Sequence, residues 1–472
     1  MEISFEKVGG QMKEQLQCGA GKMKITPREE WLKDLRGLQD IEFTGILDDL
    51  YVRALLFDDG CEKSLIVTFD LDKVPHPGLL LQTLEQRFQI PEQNIILTSI
   101  HTHTAPVTGI RINEGPNDIS KKPRHVQEAT AGYEAFITEC MMEAVGRAVA
   151  GKRPARLTYG SGECCINVDR IQDYYVKDGN GHVTAECGLG INPGKAVDRT
   201  MFVLKVDGPE GDTIGFFLNY PMHNCVMIQN PCGRDGKPAV SSDVGGAVCR
   251  YLEEAYGGSV ALWTSGAAGD INPVMGNEIY YPDIKTGRQT RLILKNGEMA
   301  RAALKNLSAR QYADVCQVIR HLPSYKENTE LHGRIDWIRI PSEDSEGRPM
   351  DTPYEVRMHL LKIGDLALIG ASGELYSSLG TALKAASDAG ETVIINHDCS
   401  LMVPSGYIFD DETLERDIRR SLPGRKSCFM ARGYIRPALE ESCRRLEKGL
   451  FTKEAPVKGT SVEETSAKEE ST

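Results

Sequence analysis

Residues 94–106, NIILTSIHTHTAP, place His101 and His103 one residue apart at the end of an apolar, strand-like run. In an extended chain side chains alternate between faces, so both imidazoles lie on the same face. Two such neutral imidazoles share a metal, or one binds it while the other handles a proton. A second histidine, His223, ends the apolar run FFLNYPMH, and it is followed by a helix start at Ser241-Ser242-Asp243 and by SVALWTSGAAGDINP, residues 259–273. In that turn Gly266 and Gly269 allow close backbone approach, and free amides there suit an anion or a carbonyl oxygen. Glu374, in LALIGASGELYSSLG, follows a strand and opens a helix, so its carboxylate is either a ligand or a first-turn charge on the helix dipole. Tyr407, in MVPSGYIFDDE, offers a phenolic oxygen after the strand TVIIN, which His397 follows directly.

These groups need rigid elements behind them. Apolar runs predict strands at 51–57, 65–70, 94–100, 156–160, 202–206, 214–219, 259–264, 318–322, 358–363, 366–369 and 392–396. Apolar positions at i, i+3 and i+4 predict helices at 78–88, 133–150, 244–256, 289–307, 375–387 and 436–448. Strands and helices interleave along the whole chain, which predicts an α/β fold of mixed, multi-stranded sheets with surrounding helices. Residues 323–352, rich in charge, Ser, Gly and Pro, read as a surface excursion with a short strand near 335–340.

Composition narrows the classes. With 55 Lys+Arg against 67 Asp+Glu, a net charge of −12, a nucleic-acid backbone is not an expected partner. No apolar run approaches the roughly 20 residues that a spanning helix needs, and the first twenty residues lack the apolar core of a signal peptide. The 13 cysteines are an odd number without a CxxC pair, which points to free thiols, a reducing compartment and a cytoplasmic location. A length of 472 residues fits about three domains, but chemistry strung from His101 to Tyr407 argues for one catalytic body over residues 15–450. Residues 451–472, mostly Glu, Lys, Ser and Thr, are expected to be a disordered tail.

Taken in order, GAGKMKITP (residues 19–27), LYVRALLFDDG with SLIVTFDL, IHTHTAP, NVDR, NYPMHN, SSDVGG, SGAAGDINP, SGELYSSLG and PSGYIFDDE resemble the zinc-dependent catalytic domain of the neutral/alkaline ceramidase family. The resemblance runs from about residue 18 to about residue 410 and lies in the order of many motifs. It implies one zinc ion per chain, held by His101, His223, Glu374 and Tyr407, with His397 as the alternative to Tyr407, that activates a water for attack on an N-acyl amide. It also implies His103 as the proton carrier and Arg170, at the end of NVDR, as the cation that polarises the amide carbonyl.

The chain departs from the family at informative places. Ile271 stands where ceramidases carry Ser or Thr, which excludes a hydroxyl nucleophile there and leaves a zinc-water mechanism intact. Asp169 stands beside Arg170, and the chain reads as a short intracellular member ending soon after the catalytic motifs. The expected substrate is therefore a small soluble N-acyl or cyclic amide and not ceramide, with a lactone or ester as the alternative. A binuclear amidohydrolase on a (β/α)8 barrel also uses His-x-His at a strand end, and a non-catalytic metal-binding relative is the reading from another class.

Overall fold

The computed structural model describes residues 15–109, 111, 114–344, 346–401, 406–416 and 429–451. Three larger sheets form its frame. The first has the order Ile95–Ser99, Lys63–Phe69, Tyr51–Asp58, Gln17–Lys24, Arg153–Pro154. The second runs Val260–Ser265, Thr213–Tyr220, Thr200–Asp207, Arg156–Glu163. In the third, Glu391–Ile395, Leu366–Ala371, Pro349–Ile363, Leu331–Glu343 and Phe429–Met430 are neighbours. Most pairings are antiparallel, but one edge pair of each sheet is parallel: Lys63–Phe69 with Ile95–Ser99, Thr213–Tyr220 with Val260–Ser265, and Leu366–Ala371 with Glu391–Ile395. This mixed α/β arrangement is not the closed parallel barrel of the binuclear amidohydrolases.

The near-continuous apolar runs follow from burial on both faces. Leu55, Phe57, Ile66 and Ile96 of the first sheet meet Leu204, Phe217 and Leu262 of the second and Leu361, Leu368 and Ile395 of the third in one central core. Their alternates Ala54, Leu56, Leu65, Val67 and Leu97 pack outward beneath the helices Pro77–Phe88 and Arg124–Ala150. Likewise Val203, Phe216, Leu218 and Trp263 pack against the helices Asp243–Ala255 and Gly297–Arg320. The outer face of the third sheet is covered by Ser377–Ala386 and Ile435–Glu447. The Arg124–Ala150 helix lies so close to the first strand that a Cβ on Gly21 would sit 2.1 Å from the carbonyl oxygen of Ala144.

Three expectations are corrected. Residues 318–322 are not a strand, because the Gly297–Arg320 helix runs through Val315 and Val318 with both side chains buried. Residues 289–307 begin as the strand Gln289–Ile293, and the helix starts only after Asn296, whose side chain accepts from the Glu298 and Met299 amides. The 323–352 excursion is largely half of a long hairpin, Leu331–Glu343 paired with Pro349–Ile363. The tail expected over 451–472 lies, apart from Phe451, outside the described residues. No described helix is long and apolar enough to cross a membrane.

Candidate active site

The carboxyl ends of strands from all three sheets converge on one buried place, the position where α/β sheets generally present ligand-binding groups. His101 follows Ile95–Ser99, His223 follows Thr213–Tyr220, the Gly266–Asp270 turn follows Val260–Ser265, Glu374 follows Leu366–Ala371, and His397 follows Glu391–Ile395.

Backbone hydrogen bonds lace these ends together. Thr102 and Asn224 form an isolated parallel bridge, the His103 amide donates to the Asn224 carbonyl at 3.0 Å, and the Asn224 side chain donates to the Ile100 carbonyl at 2.6 Å. The His223 amide donates to the Ile271 carbonyl at 3.1 Å, and the Arg170 amide donates to the Asp270 carbonyl at 2.8 Å. Glu374 is in register with Tyr407 in a short parallel pair. Gly269 permits the approach of this pair to the glycine turn, since a Cβ there would meet the Glu374 carbonyl oxygen at 2.6 Å.

Side-chain geometry then sets the chemistry. His101 Nδ1 lies 2.9 Å from the Asp72 carbonyl oxygen and 3.1 Å from its carboxylate, and His223 Nδ1 lies 3.1 Å from the Ile271 carbonyl oxygen. With Nδ1–H donating to oxygen, both rings turn Nε2 inward. His101 Nε2 is 3.2 Å from His103 Nε2 and 3.5 Å from Glu374 Oε2, and His223 Nε2 is 3.1 Å from the same oxygen. Bonds of about 2.0–2.2 Å to one tetrahedral ion place neighbouring ligand atoms about 3.3–3.6 Å apart. The residues present therefore fit a divalent metal. The ligand atoms of His101, His103 and His223 lie within 4.8 Å of one another, and so do those of His101, Glu374 and His397.

Electrostatics agree with that fit. Burial lowers the His101 imidazole, but the Glu374 and Asp72 carboxylates outweigh it and lift it to about 10. Without a metal, a proton on His101 supplies the positive charge that this pocket demands. Burial and then the charge on His101 hold His103 and His397 well below the usual histidine range, and burial with Arg170 takes His223 down to about 4. Burial raises the Glu374 carboxyl, yet His101 together with His223 and His397 outweighs it and the group stays well below the ordinary carboxylate value. Asp72 is also held by Arg111, whose Nη1 donates to its Oδ2 at 2.6 Å.

Arg170 closes the other side. Its Nη2 reaches the Gly269 carbonyl oxygen at 2.6 Å, the Tyr407 hydroxyl at 3.0 Å and His223 Nε2 at 3.2 Å, while Nη1 donates to Asn272 at 3.1 Å. Burial and the facing Arg170 and Glu374 bear on the Tyr407 phenol, with a net upward shift. All six residues singled out from sequence, His101, His103, Arg170, His223, Glu374 and Tyr407, thus meet in one place. Sequence reasoning did not single out Asp72 or Asn224; the acidic FDLD at the end of the Lys63–Phe69 strand was the available signal for Asp72.

A family model described as neutral/alkaline non-lysosomal ceramidase, N-terminal, matches residues 18–290. Among solved structures, neutral ceramidase from Pseudomonas aeruginosa is similar with a TM-score of 0.64 at 16% identity, covering 93% of this chain and 74% of that one. A ceramidase complexed with C2 gives a TM-score of 0.63 at 15% identity, over 94% of this chain and 76% of that one. No curated protein matches. At these identities the two structures speak for the fold, whereas the family model covers more than half of the chain. The chain belongs to the neutral/alkaline non-lysosomal ceramidase family, hydrolases of a non-peptide carbon–nitrogen bond.

Proposed function

We propose that this chain is a zinc-dependent amidase whose residues 15–450 act as one catalytic unit, cleaving a small N-acyl or cyclic amide in preference to ceramide. The observation that carries the reading is the convergence of His101 Nε2, His223 Nε2 and Glu374 Oε2, with both rings fixed by Nδ1–H bonds to backbone oxygens. These three residues would hold the ion, with the Tyr407 phenol bordering it. When bound, zinc supplies a Lewis acid that lowers the pKa of a water ligand and polarises a carbonyl.

The remaining chemistry belongs to the chain. Arg170, fixed by Gly269, Asn272 and Tyr407, would present its guanidinium to the amide carbonyl oxygen, where negative charge develops. His103, kept neutral by burial and by the charge on His101, would accept a proton at Nε2 and pass it to the leaving nitrogen. Asp72, clamped by Arg111, holds the His101 ring in place. Among the described residues, Asn272, Cys225, Tyr280 and Tyr407 are half-buried beside these groups, and polar and aromatic neighbours of this kind would suit a compact amide.

The test is a screen of the zinc-loaded protein against N-acyl amines, N-acyl amino acids, cyclic amides and lactones, with ceramide included. Turnover of a soluble amide that stops on chelation is expected. Turnover of ceramide alone would overturn the substrate assignment, and turnover indifferent to chelation would overturn the metal.

A further inference from the structure

One buried carboxylate, unused by the mechanism above, joins the two sheets that supply His101 and Glu374. Asp398 is fully buried and lies just past Glu391–Ile395, the edge strand of the third sheet. Its Oδ1 accepts from the Leu97 amide at 3.1 Å, and the Cys399 amide donates to the Leu97 carbonyl at 2.8 Å. Leu97 belongs to Ile95–Ser99, the edge strand of the first sheet that leads to His101. On the other side, Asp398 Oδ2 accepts from Arg357 Nη1 at 3.1 Å and lies 2.9 Å from His359 Nδ1, both on the third-sheet strand Pro349–Ile363. The Asp398 amide donates to the Ala371 carbonyl at 3.0 Å, three residues ahead of Glu374.

The neighbouring contacts run the same way. Thr98 Oγ1 donates to the Asn396 carbonyl at 2.8 Å, the Leu375 amide donates to Asn396 Oδ1 at 3.2 Å, and the His397 amide donates to the Gly373 carbonyl at 3.2 Å. Residues 396–399 therefore grip the strand of His101 with one side and the segment of Glu374 with the other. The third sheet also holds the start of that strand, since His359 Nε2 lies 2.8 Å from the Gln93 carbonyl oxygen and Arg357 Nη2 donates to Glu92 at 3.2 Å. The fit is tight. His397 and Cys399 flank Asp398 with φ +65° and +54°, left-handed conformations that surrounding structure must enforce, and a Cβ on Gly370 would sit 2.6 Å from Asp398 Oδ2. Burial raises the Asp398 carboxyl, but His359 and Arg357 outweigh it and hold it below the ordinary carboxylate value. Removing such an acceptor leaves buried donors from two sheets unpaired.

Resting on the metal-binding reading above, we propose that Asp398 is a positioning residue of the metal centre. By bonding Leu97 of the first sheet together with Arg357 and His359 of the third, it fixes the 3.5 Å spacing of His101 Nε2 and Glu374 Oε2. Metal–ligand bonds tolerate only about 0.2 Å, so a small shift of one sheet against the other takes a ligand out of range. Asp398 acts through these two residues and has no part in the chemistry itself.

Cobalt titration of the full, metal-stripped chain tests this, read by visible absorption and by competition with a chromophoric chelator. Wild type is expected to take one Co2+ per chain. Asp398→Asn keeps an acceptor for the Leu97 amide but turns an amide N–H towards the Arg357 guanidinium, which can only donate. It should still bind one ion, with the visible band shifted and the affinity lowered about tenfold or more. His359→Phe keeps a ring but loses the contact to Asp398, and should shift the band by less. Gly21→Ala, which strains the frame outside the site, should keep the wild-type band and affinity. A wild-type band and affinity in folded Asp398→Asn, or an equal shift in folded Gly21→Ala, would overturn the assignment. Should Asp398→Asn fail to fold, judged by circular dichroism, His359→Phe decides: a shifted band supports the assignment and a wild-type band overturns it. Failure of wild type itself to bind Co2+ would instead overturn the underlying metal reading, and the role of Asp398 with it.

Discussion

His223 Nε2 and Glu374 Oε2 lie 3.1 Å apart although 151 positions separate the two residues in the chain. That contact joins the end of a second-sheet strand to the end of a third-sheet strand, and each side chain is almost fully buried. A carboxylate and an imidazole are not brought together out of water at such a distance merely to pack, because burying them costs several kcal/mol unless charge is balanced.

Replacing Glu374 by Gln should therefore abolish stoichiometric zinc, as measured by elemental analysis after gel filtration. His223→Ala should do the same. Full zinc occupancy in both variants would place the metal elsewhere.

The two proposed catalytic groups separate cleanly from the ligands. His103→Ala should retain zinc and lower kcat by about two orders of magnitude or more. Arg170→Ala should also retain zinc and lower kcat by about 10²–10³-fold, and Arg170→Lys should recover little of it, since one ammonium cannot reproduce the contacts to Gly269, Asn272 and Tyr407. Turnover at the wild-type rate in His103→Ala would remove the proton carrier from the mechanism.

Asp243 gives a pH dependence that is independent of catalysis. Its carboxylate is buried at the start of the Asp243–Ala255 helix, where it accepts from the Met227 and Val244 amides, and burial pushes it up from 3.8 to about 7. In the unfolded chain this proton leaves near 3.8, so between that pH and about 7 the folded state holds the additional proton. Stability from this group is therefore fully present below pH 4 and falls as pH rises towards 7, by at most about 1.4 kcal/mol per pH unit. Asp243→Asn should flatten that slope in urea titrations run from pH 4.5 to pH 7.5. An unchanged slope would mean that Asp243 stays ionised throughout.

Gly21 tests the frame rather than the site. Gly21→Ala forces the first strand and the Arg124–Ala150 helix apart, because the new Cβ would overlap the Ala144 carbonyl oxygen. A loss of about 1–3 kcal/mol in chemical denaturation, with zinc stoichiometry intact in the folded fraction, is expected.

What the sequence reveals and what it hides both have physical reasons. Strands buried on both faces, such as Tyr51–Asp58 and Val260–Ser265, stand out as continuous apolar runs. The long hairpin of Leu331–Glu343 and Pro349–Ile363 does not, because much of its first half is only partly buried and carries charge. Val318 and Ile319 look strand-like in isolation, and only the register set by Leu307, Gln311 and Val315 shows that a helix continues through them. The histidines at strand ends were legible because period and position mark them. Asp72 and Asn224 were not, since their significance lies in contacts between segments far apart in the chain.

The convergence of strand ends from three sheets also bears on how the protein matures. During synthesis His101 and His103 leave the ribosome with the first sheet, whereas Glu374 and His397 arrive only with the last strands. A nascent chain can thus complete much of two sheets while exposing an unfinished pair of imidazoles, and metal loading must wait until the third sheet has docked. Any truncation ahead of Glu374 would leave a polypeptide with extensive secondary structure and no metal centre. Bound metal would also report completed folding, and would stabilise only the finished protein.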